Sequence, residues 1–249
     1  MTELQEAQEA QAPHAAKAPK PAQRPRGIPP ALEALATHYP ALFGAVFRPL
    51  KRGIFQDILQ AQPEVFESDA LKEALAFHTR STRYLSSVAA GMARHDLQGQ
   101  AVEDMAPELV HHALLEVYRR RLRPPATPPA GNAAGHAGRR APVRSPAELR
   151  TQLIARMVQV QEASGLSRQD YADLVRSRDE SANALLDEAM ALAAEAAARD
   201  EALLRAFEAS GQSLDAFASM YGMESTVAQH TLARAGTRRS LAEAPPSGA

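Results

Sequence analysis

The chain has 249 residues, 45% hydrophobic and only 5% aromatic, with no Trp and no Cys, so a disulfide and a thiolate metal site are excluded and small helical modules are expected in preference to one large core. The acidic, apolar-poor start Met1-Thr2-Glu3 predicts no signal peptide, and no stretch approaches the ~20 apolar residues of a membrane helix; the expected location is the cytoplasm. The net charge of −1 hides a basic front, with 18 Lys and Arg against 14 Asp and Glu up to Arg144, and an acidic back, with 10 against 15 beyond it, as expected of two modules with different partners.

Residues 1–28 are rich in Ala, Pro and Gln without sustained apolar period, and read as a disordered arm. Folded structure is expected from Pro29. Leu32 and Leu35 share one face of a first helix, which ends at Tyr39-Pro40. A second helix starts near Arg52, with Ile54, Phe55, Ile58 and Leu59 on its apolar side. Ser68 is the expected N-cap of a third, and Thr79 and Ser81 are candidate caps of a short helix through Leu85. Gln98-Gly99, between His95-Asp96-Leu97 and Gln100-Ala101-Val102, reads as the turn of a short β-hairpin. Pro107 then opens a helix carrying Leu109, Val110, Ala113, Leu114 and Val117.

Residues 124–144 have the Pro/Gly/Ala composition of a linker with scattered Arg. Ser145-Pro146-Ala147-Glu148 is a capping box with Pro at the first helical position. Everything after it reads as helix and turn. Gly165 ends one helix, Ser167 starts the next, and an Ala-rich helix covers about 181–198. Further helices are expected over 200–210, 213–221 and 225–235. The predicted fold class is mainly α: a small α+β domain of helices plus a short β-hairpin over 29–123, followed by a separate all-α accessory module over 145–237 and a disordered tail over 238–249.

Chemistry concentrates in the first module. Arg48, Lys51, Lys72, Arg80, Arg83 and Arg94 fall within one short window. On a shared face they would neutralise several phosphates, with steep salt dependence; otherwise they are ordinary solvated charges. Tyr84 is either a stacking surface for a base or ribose or a core tyrosine with a tied hydroxyl. Thr79 and Ser81 either cap a helix or leave its free N–H groups to a phosphate. No metal or catalytic constellation is present. His111 and His112 are adjacent and point to different sides of a helix. His78 and His95 lack partners at ligand spacing. No phosphate loop or nucleophile–base pair occurs. The reading is therefore non-enzymatic and cofactor-free.

Three segments, Arg48-Pro-Leu-Lys-Arg-Gly-Ile-Phe-Gln-Asp57, Thr79-Arg-Ser-Thr-Arg-Tyr-Leu85 and Arg94-His-Asp-Leu-Gln-Gly99, occur in the order and near the spacing of the ProQ/FinO family of bacterial RNA-binding proteins, which the chain resembles from about Leu35 to Arg123. The resemblance implies an RNA chaperone that takes structured small RNAs and mRNA 3′ ends, a terminator hairpin followed by a U-rich tail, in post-transcriptional regulation. It assigns Arg48, Lys51 and Lys72 to phosphates, and Thr79, Ser81, Arg83 and Tyr84 to a pocket for the 3′-terminal nucleotides. Arg94 is assigned to the stem base, and Asp57 to positioning the neighbouring cations. The chain departs from the family pattern at Ala76 and near Ser68, where basic residues are common, at Thr82, where an aromatic is common, and at Arg80, which replaces a small hydroxyl residue. The implied basic face is thinner, or rearranged around Arg80.

For residues 145–237 the expectation is self-association or a protein partner. The runner-up is a DNA-binding transcriptional regulator. Its support is the helix-turn-helix-like stretch Ser167–Leu186 and the pair Ala218 and Gly222; Arg176 at the first turn and the net acidity count against it.

Overall fold

The computed structural model describes residues 28–123 and 144–243, with side chains up to 240. The expected arm and linker, 1–28 and 124–144, fall almost wholly outside these residues, as does the end of the tail.

Pro29 and Pro30 preset the backbone for α1 (Pro30–His38), whose Leu35 is fully buried. Pro40 starts a single turn, α2 (Pro40–Phe43). A Cβ on Gly44 would lie 2.3 Å from the Pro40 carbonyl oxygen, so only glycine lets the chain fold back there. Gly53, at φ 82°, turns the chain into α3 (Ile54–Ala61), which buries Ile54 and Ile58. Next come α4 (Ser68–Thr79) and α5 (Thr82–Ala89), then β1 (Arg94–His95) and β2 (Ala101–Glu103), an antiparallel pair with an irregularity between Arg94 and His95. The last helix of this half is α6 (Pro107–Leu122), opened by Pro107 as expected.

Several local expectations need correction. The residue before α4 is Glu67, with Ser68 already inside the helix and no side-chain cap. Thr79 caps nothing: it ends α4, and its hydroxyl donates to the Leu75 carbonyl. The hairpin is shorter and its loop longer. The Asp96 carboxylate accepts the Gln98 and Gln100 N–H groups at 3.0 and 2.9 Å, so the side chain organises a loop where strand was expected.

Beyond the linker, Ser145 and Glu148 form the reciprocal capping box that opens α7 (Pro146–Ser164), and Gly165 closes it at φ 68°. Ser167 caps α8 (Arg168–Val175). The expected break near residue 199 does not exist: α9 (Glu180–Ser210) is continuous over 31 residues. Asp200 is tolerated inside it because Arg234 and Arg238 bond its carboxylate at 2.9 Å. These arginines come from α11 (Ser225–Glu243), which follows α10 (Leu214–Met220). It runs into the stretch expected as tail, and Arg239 is held there by Glu201 and Glu208.

The core is continuous across the two halves. Leu35, Leu42, Ile58, Leu71 and Ala74 join Val110, Ala113 and Leu114 of α6, and these join Leu153, Ile154 and Met157 of α7 and Ala189 of α9. One side of α6 packs on α5 and another on α7. His111 Nδ1 meets the Tyr171 hydroxyl at 3.0 Å, with both side chains buried, and pins α8 to α6. The all-α module is therefore docked on the first domain. Met157 is fully buried at this junction; its truncation to Ala would cost about 2–5 kcal/mol.

Candidate nucleic-acid interface

The three segments singled out in the sequence meet at the extended stretch Phe47–Lys51. Its Leu50 N–H donates to the Tyr84 hydroxyl at 3.2 Å. Its Pro49 carbonyl accepts the His95 N–H at 2.8 Å, and Lys51 N–H donates to the His95 carbonyl at 2.9 Å. The Leu50 carbonyl accepts Arg94 Nη1 at 3.0 Å. Arg48 Nη1 donates to the Gly99 carbonyl at 2.9 Å across to the hairpin loop. Gly99 has φ 76°, and a Cβ there would press on Ala41 Cβ at 3.0 Å, so this close approach requires glycine.

Arg83 completes the junction from α5. Its guanidinium lies 4.3 Å from the Phe47 ring centroid and donates to the Ala45 carbonyl. Ser81 is a true N-cap: its hydroxyl accepts the Tyr84 N–H at 3.1 Å. The first-turn amides of Thr82 and Arg83 then lack intrahelical acceptors. Arg48 and Arg83 donate to backbone carbonyls, partners that carry no countercharge.

Not every expected residue stands here in the expected way. Tyr84 is only 8% exposed. Its ring packs on His78 at 5.2 Å, its hydroxyl holds Leu50, and burial raises its pKa. It offers no open ring face for a base and acts as a strut under the junction. Arg94 is also largely interior, its side chain 15% exposed, with Glu103 at 3.7 Å. Lys51 is held by Asp57 at 2.8 Å, a hydrogen bond and ion pair that raise its pKa. Asp57 thus does position a cation. Lys72 is exposed, with its contacts at Asp69 and the Phe55 ring, and no contact ties it to the junction. Arg80 folds back on the Ala76 carbonyl. Thr79 is back-bonded within α4.

Sequence reasoning passed over two participants. Phe47 is the platform for Arg83. Arg120, from the far end of α6, donates through Nη1 to the Arg80 carbonyl at 2.8 Å and the Thr82 hydroxyl at 3.2 Å. The only signal for it was the run Arg119-Arg120-Arg121.

His78 and His111 are buried, and burial, aided by Arg83 and His112 respectively, lowers each pKa to about 4. Neither ring nitrogen of His78 has a hydrogen-bond partner. Among the described residues no group of three metal-ligating side chains occurs.

Residues 27–127 match the family described as ProQ/FINO. The chain carries a ProQ/FinO-family domain. The chain is 39% identical over 83 residues to an RNA chaperone ProQ of Pseudoalteromonas atlantica, covering 32% of this chain and 38% of that protein. Over 68 residues it is 41% identical to an RNA chaperone ProQ of Shewanella oneidensis, covering 26% and 32%. Over 83 residues it is 40% identical to that of Aeromonas salmonicida, covering 32% and 40%. The chain thus spans only about two fifths or less of the curated relatives it matches. The ProQ/FinO domain contains the whole Phe47–Lys51 junction.

In the all-α half, the turn from α10 to α11 does not lead into a basic helix face. Between α10 and α11, Gly222 sits at φ 64°, and Ala218 and Ala228 are buried. The exposed face at the start of α11, however, shows Thr226, Val227, Gln229 and His230. The arginines farther along it, Arg234, Arg238 and Arg239, are engaged by Asp200, Glu162, Glu201 and Glu208. Among the described residues no helix is long and apolar enough to cross a membrane.

Proposed function

We propose that this protein is a non-catalytic RNA-binding chaperone acting in bacterial post-transcriptional regulation in the cytoplasm. Its ligands would be structured small RNAs and mRNA 3′ ends, each a terminator-type hairpin followed by a short U-rich tail. One observation carries the reading: the capped start of α5, the Arg83 guanidinium and Arg48 are gathered at one junction of a ProQ/FinO domain. The first-turn N–H groups offer dipoles to a terminal phosphate or hydroxyl. Arg83 and Arg48 add charge, and Lys51, 41% exposed beside Asp57, adds an ammonium donor. Double-stranded RNA gives side chains little sequence information, whereas its shape and its ends are readable. No cofactor is required.

The test is titration of the full chain with a hairpin bearing a U tail, the same hairpin without a tail, and duplex DNA of equal length. The tailed hairpin should bind most tightly, with affinity falling steeply as salt rises. Equal binding to all three would reject the reading, and preference for the DNA would favour the α10–α11 helices as a DNA reader.

A further inference from the structure

We propose that Arg120 is a positioning residue for RNA, resting on the tail-capture reading above: it sets the α4–α5 turn and brings a second guanidinium to the start of α5. The turn contains the Arg80 carbonyl, the Ser81 cap and the Thr82 hydroxyl, and Arg120 Nη1 bonds the first and the last of these. This one contact joins residues 38 to 40 positions apart in sequence.

The geometry matters because a helix start binds an anion only if its N–H groups point outward and are not occupied by a local acceptor. Ser81 occupies the Tyr84 amide. The Thr82 hydroxyl sits at the first helical position, where it gives Arg120 an anchor on α5. Arg120 ties that hydroxyl to the Arg80 carbonyl across the turn, which sets the orientation of the Thr82 and Arg83 amides. Glu116 lies 3.7 Å from Arg120 Nε and steadies the guanidinium, while 31% of the side chain remains exposed. The charge on Arg120 therefore reaches solvent beside the turn, on α6, while Arg83 approaches from α5. The fully buried His78 imidazole, packed on the Phe43, Phe47 and Tyr84 rings, has two unpartnered nitrogens, which packing alone does not explain.

The readout is the ratio of affinities for a hairpin with a U tail and the same hairpin without one, measured on the full chain. General loss of cationic charge would weaken both ligands alike, whereas loss of positioning lowers the ratio. Arg120→Ala should cut the ratio about tenfold, the scale of one charged hydrogen bond. Thr82→Val, which deletes only the acceptor, should cut it about threefold, and it keeps the test open if Arg120→Ala does not fold. Arg176→Ala is the control: Arg176 pairs with Asp187 in the all-α half, and its loss should leave the ratio unchanged. Equal weakening of both ligands in Arg120→Ala, or an unaltered ratio in Thr82→Val, would overturn the proposal. A wild-type ratio near one would refute tail capture and the role of Arg120 with it.

Discussion

Replacing Tyr84 with Phe separates the two roles the sequence left open for this ring. The substitution keeps the ring, which is 8% exposed and packed on His78, and removes only the hydroxyl that accepts the Leu50 N–H at 3.2 Å. Leu50 is itself 4% exposed, so water cannot reach the abandoned donor without opening the junction. A buried donor left without its partner costs about 1–3 kcal/mol, and the length of this bond places the cost near the lower end, about 1–1.5 kcal/mol. Urea unfolding followed by circular dichroism should show a lower midpoint with an unchanged slope. RNA affinity, measured well below the unfolding transition, should stay within about twofold of wild type, because Tyr84 touches the ligand only through the stretch it supports. A stability loss below about 0.5 kcal/mol, combined with a tenfold loss of affinity, would refute the reasoning. The hydroxyl would then be contacting RNA.

Other outcomes follow from the same geometry. Arg83→Ala removes a guanidinium from the Phe47 ring and the Ala45 carbonyl; affinity for the tailed hairpin should fall about tenfold, and the salt slope should drop by about one, in titrations at several salt concentrations. Gly99→Ala forces a side chain onto a φ of 76° and against Ala41, and thermal melting should show about 1–2 kcal/mol of destabilisation. His78 and His111 have folded pKa values lowered from 6.5 to about 4. The unfolded chain therefore binds more protons between those values, so stability should be full above pH 7 and decline as pH falls from about 6.5 to 4. Since His78 makes no hydrogen bond, His78→Leu should reduce that slope by about one proton, or about 1.4 kcal/mol per pH unit, in denaturation curves taken across the range.

Helix starts were the most legible feature of the sequence, because the chemistry that starts a helix is local. Pro30, Pro107 and Pro146 each stand at a first helical turn, and Ser145 with Glu148 forms the expected box. Features that depend on a distant partner were not legible. Asp200 reads as a helix boundary until Arg234 and Arg238 are known to reach it. An aromatic next to an arginine is compatible with either face, and only the Leu50 amide 34 positions away decides that Tyr84 points inward. The meeting of the three segments was implied by resemblance, since no local pattern states that Arg48 reaches Gly99. Arg120 was hidden for the same reason, as one member of a basic run whose neighbours Arg119 and Arg121 face elsewhere or outward.

The double duty of α6 bears on how the molecule can be divided. Its Val110, Ala113 and Leu114 line the core of the ProQ/FinO domain, yet the same helix receives Leu153 and Met157 from α7, and its His111 grips Tyr171. A fragment that stops after Arg123 would strip α6 of that covering and hand an oily, histidine-bearing flank to water. Such a fragment would tend to clump or loosen, and any weakness it showed toward RNA would reflect the cut rather than the RNA-facing side.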